Sequence, residues 1–361
     1  MRGYGNASGV PVTYAVGSNA TCPRWPAPTA ADAACWSNAS AAAPYYSPYA
    51  APALAAAAAA AARADVVVVA LGLGSRVEAE GLNRERMTLP PVQQELLRRV
   101  SAAARARAPP GRVVGVVVSA GGVDWDESLV DAALWAPYGG MQAGPGLADA
   151  LFGAANPSAR LPVTVYRDAW AAAMDCPAPA SGAARHATCP TSLRNLNLEA
   201  GVGRTYRYLS PANAHTYVRH AFGFGLSYAA FRYAALTASV SGAGVNATLR
   251  AAVTITNTGG VAGRDVAQLY ATYTGANAPA GLVMPLVNLV AFAATDVLAP
   301  GAAQTVAFDV DVGDRLATAL DDGSREVLGG TYALSAGGHQ PGDAEGTAGS
   351  SGPNVQTTVV L

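Results

Sequence analysis

The stretch VEAEGLNRERMTLP, Val77 to Pro90, brings Glu78, Glu80, Arg84 and Arg86 into one short loop of a chain in which only 13% of residues are charged. A carboxyl group at the exit of a strand can act as general acid and base if burial or a second carboxylate raises its pKa. Glu78 and Glu80 alternate, so in an extended loop they face the same side. Arg84 or Arg86 could hold either one as the carboxylate. The plainer reading of the same residues is a salt-bridged, solvated loop. Asp124, in SAGGVDWDES, closes the next apolar run and could line the same edge. A cap or turn aspartate is the plainer reading there.

Other chemistries find less support. Gly72 and Gly74 supply two glycines of a dinucleotide fingerprint, but the next falls at Gly81, out of register. His186, His215, His220 and His339 show no metal-ligand spacing, and no serine sits in a G-x-S-x-G elbow. Neither a cofactor nor a metal is expected.

The elements that must position the loop read clearly. Residues 51–64 are nearly pure alanine, the best helix former. VVVVALGLG is a continuous apolar run, read as a parallel strand buried on both faces. Pro90-Pro91 opens a helix in which Val92, Leu96, Leu97, Val100 and Ala104 recur at helical spacing. GRVVGVVVSAGG, AALWAPY and LPVTVY read as second, third and fourth strands, with QAGPGLADALFGAA a helix between the last two. Strands alternating with helices imply an α/β sheet covered by helices. Asp168 to Pro211 is a long connection of the functional or lid type. From Phe231 onward, short alternating segments separated by turns read as a β-sandwich. The division expected is an irregular segment at 1–50, with a short strand near Val10–Ala15, and an α/β domain at 51–168. A connecting segment packed on that domain covers 169–230, and an all-β module covers 231–361.

The 361 residues carry a formal net charge of −1, without the basic footprint of a nucleic-acid binder. No run reaches the ~20 strongly apolar residues of a membrane span, since Arg63 and Asp65 interrupt the alanine-rich stretch. No signal peptide is visible at Met1. Yet Asn6, Asn19, Asn38 and Asn246 each head an Asn-X-Ser/Thr tripeptide, which points to an extracytoplasmic chain. Cys22 and Cys35, and Cys176 and Cys189, form two neighbouring pairs without metal spacing, so two local disulfides are expected, with three connectivities open.

Taken together, these blocks resemble the C-terminal half of glycoside hydrolase family 3, of the plant and algal β-xylosidase/α-arabinofuranosidase type. The acidic loop resembles the family's E-x-E-G-x-D-R followed by LPxxQQEL. VVGVVVSAGGVDWDES, LWAPYGGMQAGPGLADALFGAANPSARLPVTVY, GRTYRYL and FGFGLSYAAF match further ordered blocks. The tail containing VTITNTGGVAGRDVAQLY is similar to the fibronectin type III-like domain that ends many members.

The resemblance implies an α/β sandwich domain, with a mostly parallel sheet and flanking helices, followed by an all-β fibronectin type III-like sandwich. It also implies retaining hydrolysis by two carboxylates. The general acid/base role falls on Glu80, with Glu78 as runner-up, and Arg84 orients the loop. The chain has Asn83 where the family usually has aspartate. The nucleophile lies on an N-terminal (β/α)8 barrel, for which there is no room before Val66. The expectation is the C-terminal part of a secreted, cell-wall exo-β-glycosidase, inactive alone, whose partners are that barrel and xylo-oligosaccharide or arabinoxylan. A non-catalytic carbohydrate- or protein-binding module is the alternative.

Overall fold

A computed structural model describes residues 50–74, 77–80, 84, 86–174, 197–320, 322–343 and 349–361. The expected strand near Val10, the four cysteines, Asn83 and the tripeptides at Asn6, Asn19 and Asn38 lie outside them. The chain divides into two compact units, Met1–Phe152 and Gly153–Leu361.

In the first unit the alanine-rich segment forms helix α1, Ala50–Ala61. The apolar run that follows is strand β1, Val66–Gly72. Pro91 starts α2, Pro91–Arg105, whose Val92, Leu96, Leu97, Val100, Ser101 and Ala104 are buried, while Glu95 pairs with Arg98 and Arg99 on the outer face. β2, Arg112–Val118, lies between β1 and β3, Ala132–Ala136, and both pairings are parallel. One apolar cluster joins Leu54 and Ala57 of α1, Leu96, Leu97 and Val100 of α2, Val69 and Leu71 of β1, and Val113 and Val117 of β2.

The structure departs from the sequence reading at β1. The strand is not buried on both faces: Val69 and Leu71 are covered, whereas Val66 is 58% exposed and Ala70 is exposed. Among the described residues β1 is an edge strand. Trp125 packs over the middle of β2, where a Cβ on Gly115 would lie 2.4 Å from the indole ring. Helix α3, Ala143–Leu151, follows β3.

LPVTVY does not become a fourth strand of this sheet. Pro162 has no N–H to offer a ladder. Leu161 instead exchanges backbone bonds with Gly223 and Phe224. Only β4, Val165–Tyr166, keeps strand geometry, antiparallel to β5, Val218–His220. α4, Asp168–Met174, α5, Thr205–Tyr208, and α6, Pro211–Tyr217, make up the described part of the long connection. Its GRTYR block is held locally: Trp170 donates to the Gly203 carbonyl, the Tyr166 hydroxyl accepts from the Thr205 N–H, and Tyr206 stacks on Phe222.

The rest of the second unit is an antiparallel sandwich. One sheet is β10–β7–β6 (Ala303–Asp311, Thr248–Asn257, Phe231–Ser241). The other is β14–β13–β8–β9 (Val355–Val360, Thr331–Gly337, Val266–Tyr273, Asn288–Ala294). A small hairpin, β11 (Thr318–Ala319) with β12 (Arg325–Glu326), lies beside them. Period-two alternation puts Leu249, Val253, Ile255, Leu269, Val306, Phe308 and Leu334 into one core.

Polar groups weld Asn156-Pro-Ser-Ala-Arg160 to this sandwich. Asn156 Oδ1 accepts from the Ser227 hydroxyl and the Tyr228 N–H, and its Nδ2 donates to the Ala262 carbonyl. The Arg160 guanidinium donates to the Gly225 carbonyl, to Asp265 and to Ser351 Oγ. Asp265, fully buried, also accepts from the Tyr233 hydroxyl (2.8 Å), the Ser351 hydroxyl (3.0 Å) and the Val266 N–H (2.8 Å). These bonds make the NPSAR and LSY blocks two sides of one junction.

Candidate active site at the carboxyl edge of the parallel sheet

Three parallel strands release their loops at the same edge, the place where open α/β sheets carry ligands. β1 leads to Leu73–Arg84, β2 to Ser119–Asp124, and β3 to Pro137 and Tyr138. The end of β1 is pinned first. Gln93 of α2 accepts from the Gly72 N–H (2.8 Å) and donates to the Gly72 carbonyl (2.7 Å). The chain then turns, with the N–H groups of Val77 and Glu78 both donating to the Gly74 carbonyl. Val77 is buried in the core beneath the turn.

Glu78 ties the three exits together. Its Oε1 accepts from the Ala120 N–H (2.6 Å) of the β2 loop and the Tyr138 hydroxyl (2.7 Å) beyond β3. Its Oε2 lies 3.3 Å from Arg84 Nε, and both side chains are mostly buried, at 10% and 14% exposed. Arg84 crosses to the β2 loop, where its Nη2 donates to the Gly122 carbonyl at 2.9 Å. A Cβ on Gly121 would come within 2.9 Å of that nitrogen, so the glycines of SAGG make room for the arginine. Arg84 Nη1 is buried without a hydrogen-bond partner among the described residues. Ser119 supports the β2 loop, donating to the Gly121 carbonyl and accepting from Trp135 Nε1.

The electrostatics follow this packing. Burial lowers the pKa of the Arg84 guanidinium, and the charges of Glu78 and Tyr138 oppose that shift. Burial, reinforced by the hydrogen bond to Glu78 and that carboxylate's charge, pushes the Tyr138 phenol up to about 12. The phenol therefore stays a neutral donor at ordinary pH. The Leu73 carbonyl, 3.0 Å away, is a second acceptor for the same hydroxyl proton.

Glu80 stands apart. It is exposed and makes no hydrogen bond or ion pair with the described residues. The two alternating glutamates thus occupy opposite environments, because the loop turns at Gly74 rather than running extended. Asp124 is partly buried on the β2 loop. Its N–H donates to the Met87 carbonyl at 2.8 Å, and the residue bridges to Thr88. Arg86 is exposed. Sequence reasoning assigned no role to Tyr138, although it is the only side chain from the β3 exit bonded to Glu78 among the described residues. Its one signal was its place in the LWAPYGG block. Among the described residues no three His, Cys, Asp or Glu side chains are grouped to hold a metal ion.

Known proteins are similar to this chain in sequence and in fold. Residues 5–228 match the glycosyl hydrolase family 3 C-terminal domain, and residues 265–340 match a fibronectin type III-like domain. Beta-D-xylosidase 1 of Arabidopsis thaliana is 31% identical over 303 residues, covering 75% of this chain and 36% of the relative. Beta-glucosidase B of Emericella nidulans is 34% identical over 283 residues, covering 76% and 31%. The chain therefore spans about a third of the length of these curated relatives. Among solved structures, a family 3 beta-glucosidase from Bifidobacterium adolescentis superimposes with a TM-score of 0.65 at 26% identity, over 86% of this chain and 41% of that one. Beta-D-glucoside glucohydrolase from Trichoderma reesei gives 0.66 at 23% identity, over 85% and 41%, and shares the fold. With a family model covering more than half its residues and an α/β sheet followed by a fibronectin type III-like sandwich, the chain belongs to glycosyl hydrolase family 3.

Proposed function

We propose that this chain is the C-terminal part of a retaining exo-β-glycosidase that removes xylose-type units from xylo-oligosaccharide or arabinoxylan ends outside the cell. Glu80 is the general acid/base. Its carboxyl group protonates the glycosidic oxygen while an aspartate from a (β/α)8 barrel attacks the anomeric carbon. It then takes the proton from the water that releases the sugar. Retention requires the two carboxyl groups to come within ~5–5.5 Å. Without the barrel aspartate the 361 residues do not turn over, because the covalent route is lost.

The observation that carries this reading is the split between the two glutamates. Glu78 has both oxygens engaged by an N–H, a phenol and a guanidinium. It is an anchor, and Arg84 and Tyr138 orient it. Glu80, two residues on and exposed, keeps a carboxyl group free to reach a leaving oxygen. The xylosidase among the curated relatives supports the substrate class.

The test uses the chain joined to its barrel. Glu80→Gln is expected to slow cleavage of xylobiose ~10²–10⁴-fold. Xylosides with an activated aryl leaving group, which need no acid, should still glycosylate the enzyme, and azide should restore their turnover. That signature in Glu78→Gln instead would overturn the choice of acid. Turnover of an aryl xyloside by the 361 residues alone, lost on Glu80→Gln, would overturn the dependence on the barrel.

A further inference from the structure

Of the four Asn-X-Ser/Thr tripeptides, Asn246-Ala247-Thr248 falls within the described residues, and hydrolysis has no use for it. It occupies the connection between β6 and β7. A single 3-10 turn, Gly244–Asn246, makes the corner. Gly242 (φ +82°) and Gly244 (φ +56°) take the left-handed backbone it requires. The loop closes on its own backbone, with the Asn246 N–H donating to Ala243 and the Ala247 N–H to Gly244. The Asn246 side chain is therefore not recruited, and it makes no hydrogen bond with the described residues. Residues 241–246 are all exposed. A Cβ on Gly244 would meet nothing within 4 Å, so that side of the corner is open, while Gly313 packs against the Val245 backbone on the other.

The middle residue sets the direction of the other two. Ala247 is extended (φ −73°, ψ 147°) and 3% exposed, with its methyl group in the sandwich core and its carbonyl accepting from the Val312 N–H. Side chains on either side of an extended residue point away from it. With Ala247 turned inward, the Asn246 amide and the Thr248 hydroxyl share the outward side. These are the two groups by which the acceptor tripeptide is recognised.

We propose that Asn246 is an N-glycosylation site. Asn246 Nδ2 attacks the anomeric carbon of a lipid-pyrophosphate-linked oligosaccharide. The N–C bond forms, the C–O bond to pyrophosphate breaks, the amide gives up one proton and the lipid pyrophosphate leaves. The site rests on the extracytoplasmic placement in the proposed function and is independent of the hydrolytic roles. The glycan extends from a hairpin corner and covers Val245, itself 49% exposed, without entering the core.

The 361-residue chain, secreted from a eukaryotic host, is digested with peptide N-glycosidase in heavy-oxygen water and mapped by mass spectrometry. Heavy-oxygen aspartate is expected at position 246. Asn246→Gln and Thr248→Ala should each abolish it, Thr248→Ser should retain it, and Asn246→Gln should leave the unfolding temperature of the deglycosylated chain unchanged. An unmodified Asn246 in molecules that carry glycan on Asn6, Asn19 or Asn38 overturns the proposal, as does a secreted chain without any glycan. Neither result touches the assignment of Glu80, which the leaving-group series decides separately.

Discussion

Removing Asp265 should destabilise the second unit strongly, because it strands a buried guanidinium. Asp265 is fully buried, and the side chain of Arg160 is 8% exposed. In Asp265→Ala the carboxylate leaves behind a desolvated guanidinium and the Tyr233 and Ser351 hydroxyls that donated to it. Breaking one side of a buried ion pair costs ~3–5 kcal/mol. At ~2–4 °C per kcal/mol for a unit of 150–250 residues, the transition of Gly153–Leu361 should fall by about 6–20 °C. Scanning calorimetry of the 361-residue chain reads this directly. A double-mutant cycle with Arg160→Met supplies the control. Once no charge is stranded, the double variant Arg160→Met/Asp265→Ala should recover much of the loss, since removing both partners leaves no uncompensated buried charge. A loss below ~1 kcal/mol in Asp265→Ala, or a double variant whose loss equals the sum of the two single ones, would refute the account of Asp265 as the charge partner of Arg160.

Two further outcomes follow from the first unit. The Tyr138 phenol is raised to about 12 in the folded chain, against ~10 unfolded, so the folded state holds the extra proton between those values. Its contribution is fully present below pH ~10 and is lost as pH rises toward 12. Tyr138→Phe should remove one high-pH component from the ultraviolet phenolate titration and flatten the loss of stability across that window; loss of a component at the ordinary phenol pH of ~10 instead would show that Glu78 does not hold the phenol. Gly115→Ala would place a methyl group 2.4 Å from the Trp125 ring, an overpacking that should cost ~1–3 kcal/mol by denaturant unfolding. A neutral result would mean that the indole does not pack over β2 as described.

Local periodicity made much of the fold legible. The helical recurrence of Val92, Leu96, Leu97 and Val100 and the alternation along β10 appear where the residues predict them, because each pattern reports one face of one element. The double-sided burial expected of β1 was misread. Four consecutive valines look the same whether a strand is central or at an edge, and the edge position depends on neighbours far along the chain. LPVTVY failed for a related reason: its apolar pattern is real, but its backbone bonds to residues 218–224 could not be inferred from it. Asp265 lies in a run that reads as an ordinary strand, and its role needs an arginine 105 residues away. Tyr138 is likewise 60 residues from the glutamate it holds. Long-range polar pairs leave no periodic trace, so only the ordered motif blocks pointed to these positions.

The acidic loop shows how two like residues in one short loop come to have different uses. Alternation in an extended segment would give Glu78 and Glu80 the same surroundings and leave the choice between them open. The turn at Gly74 brings Glu78 inward to meet one donor from each neighbouring strand exit and a guanidinium from its own loop. Those contacts occupy both oxygens of Glu78, whereas a proton donor needs a carboxyl group within reach of the leaving oxygen. In the proposed reading, the position of Glu80 is therefore set by the whole sheet edge: by Ala120 after β2, Tyr138 after β3, and Gln93 of α2 clamping the end of β1. Substitutions at these supports should impair proton transfer through geometry and so slow glycosylation by poor leaving groups more than by activated ones, a weaker form of the pattern expected on losing Glu80 itself.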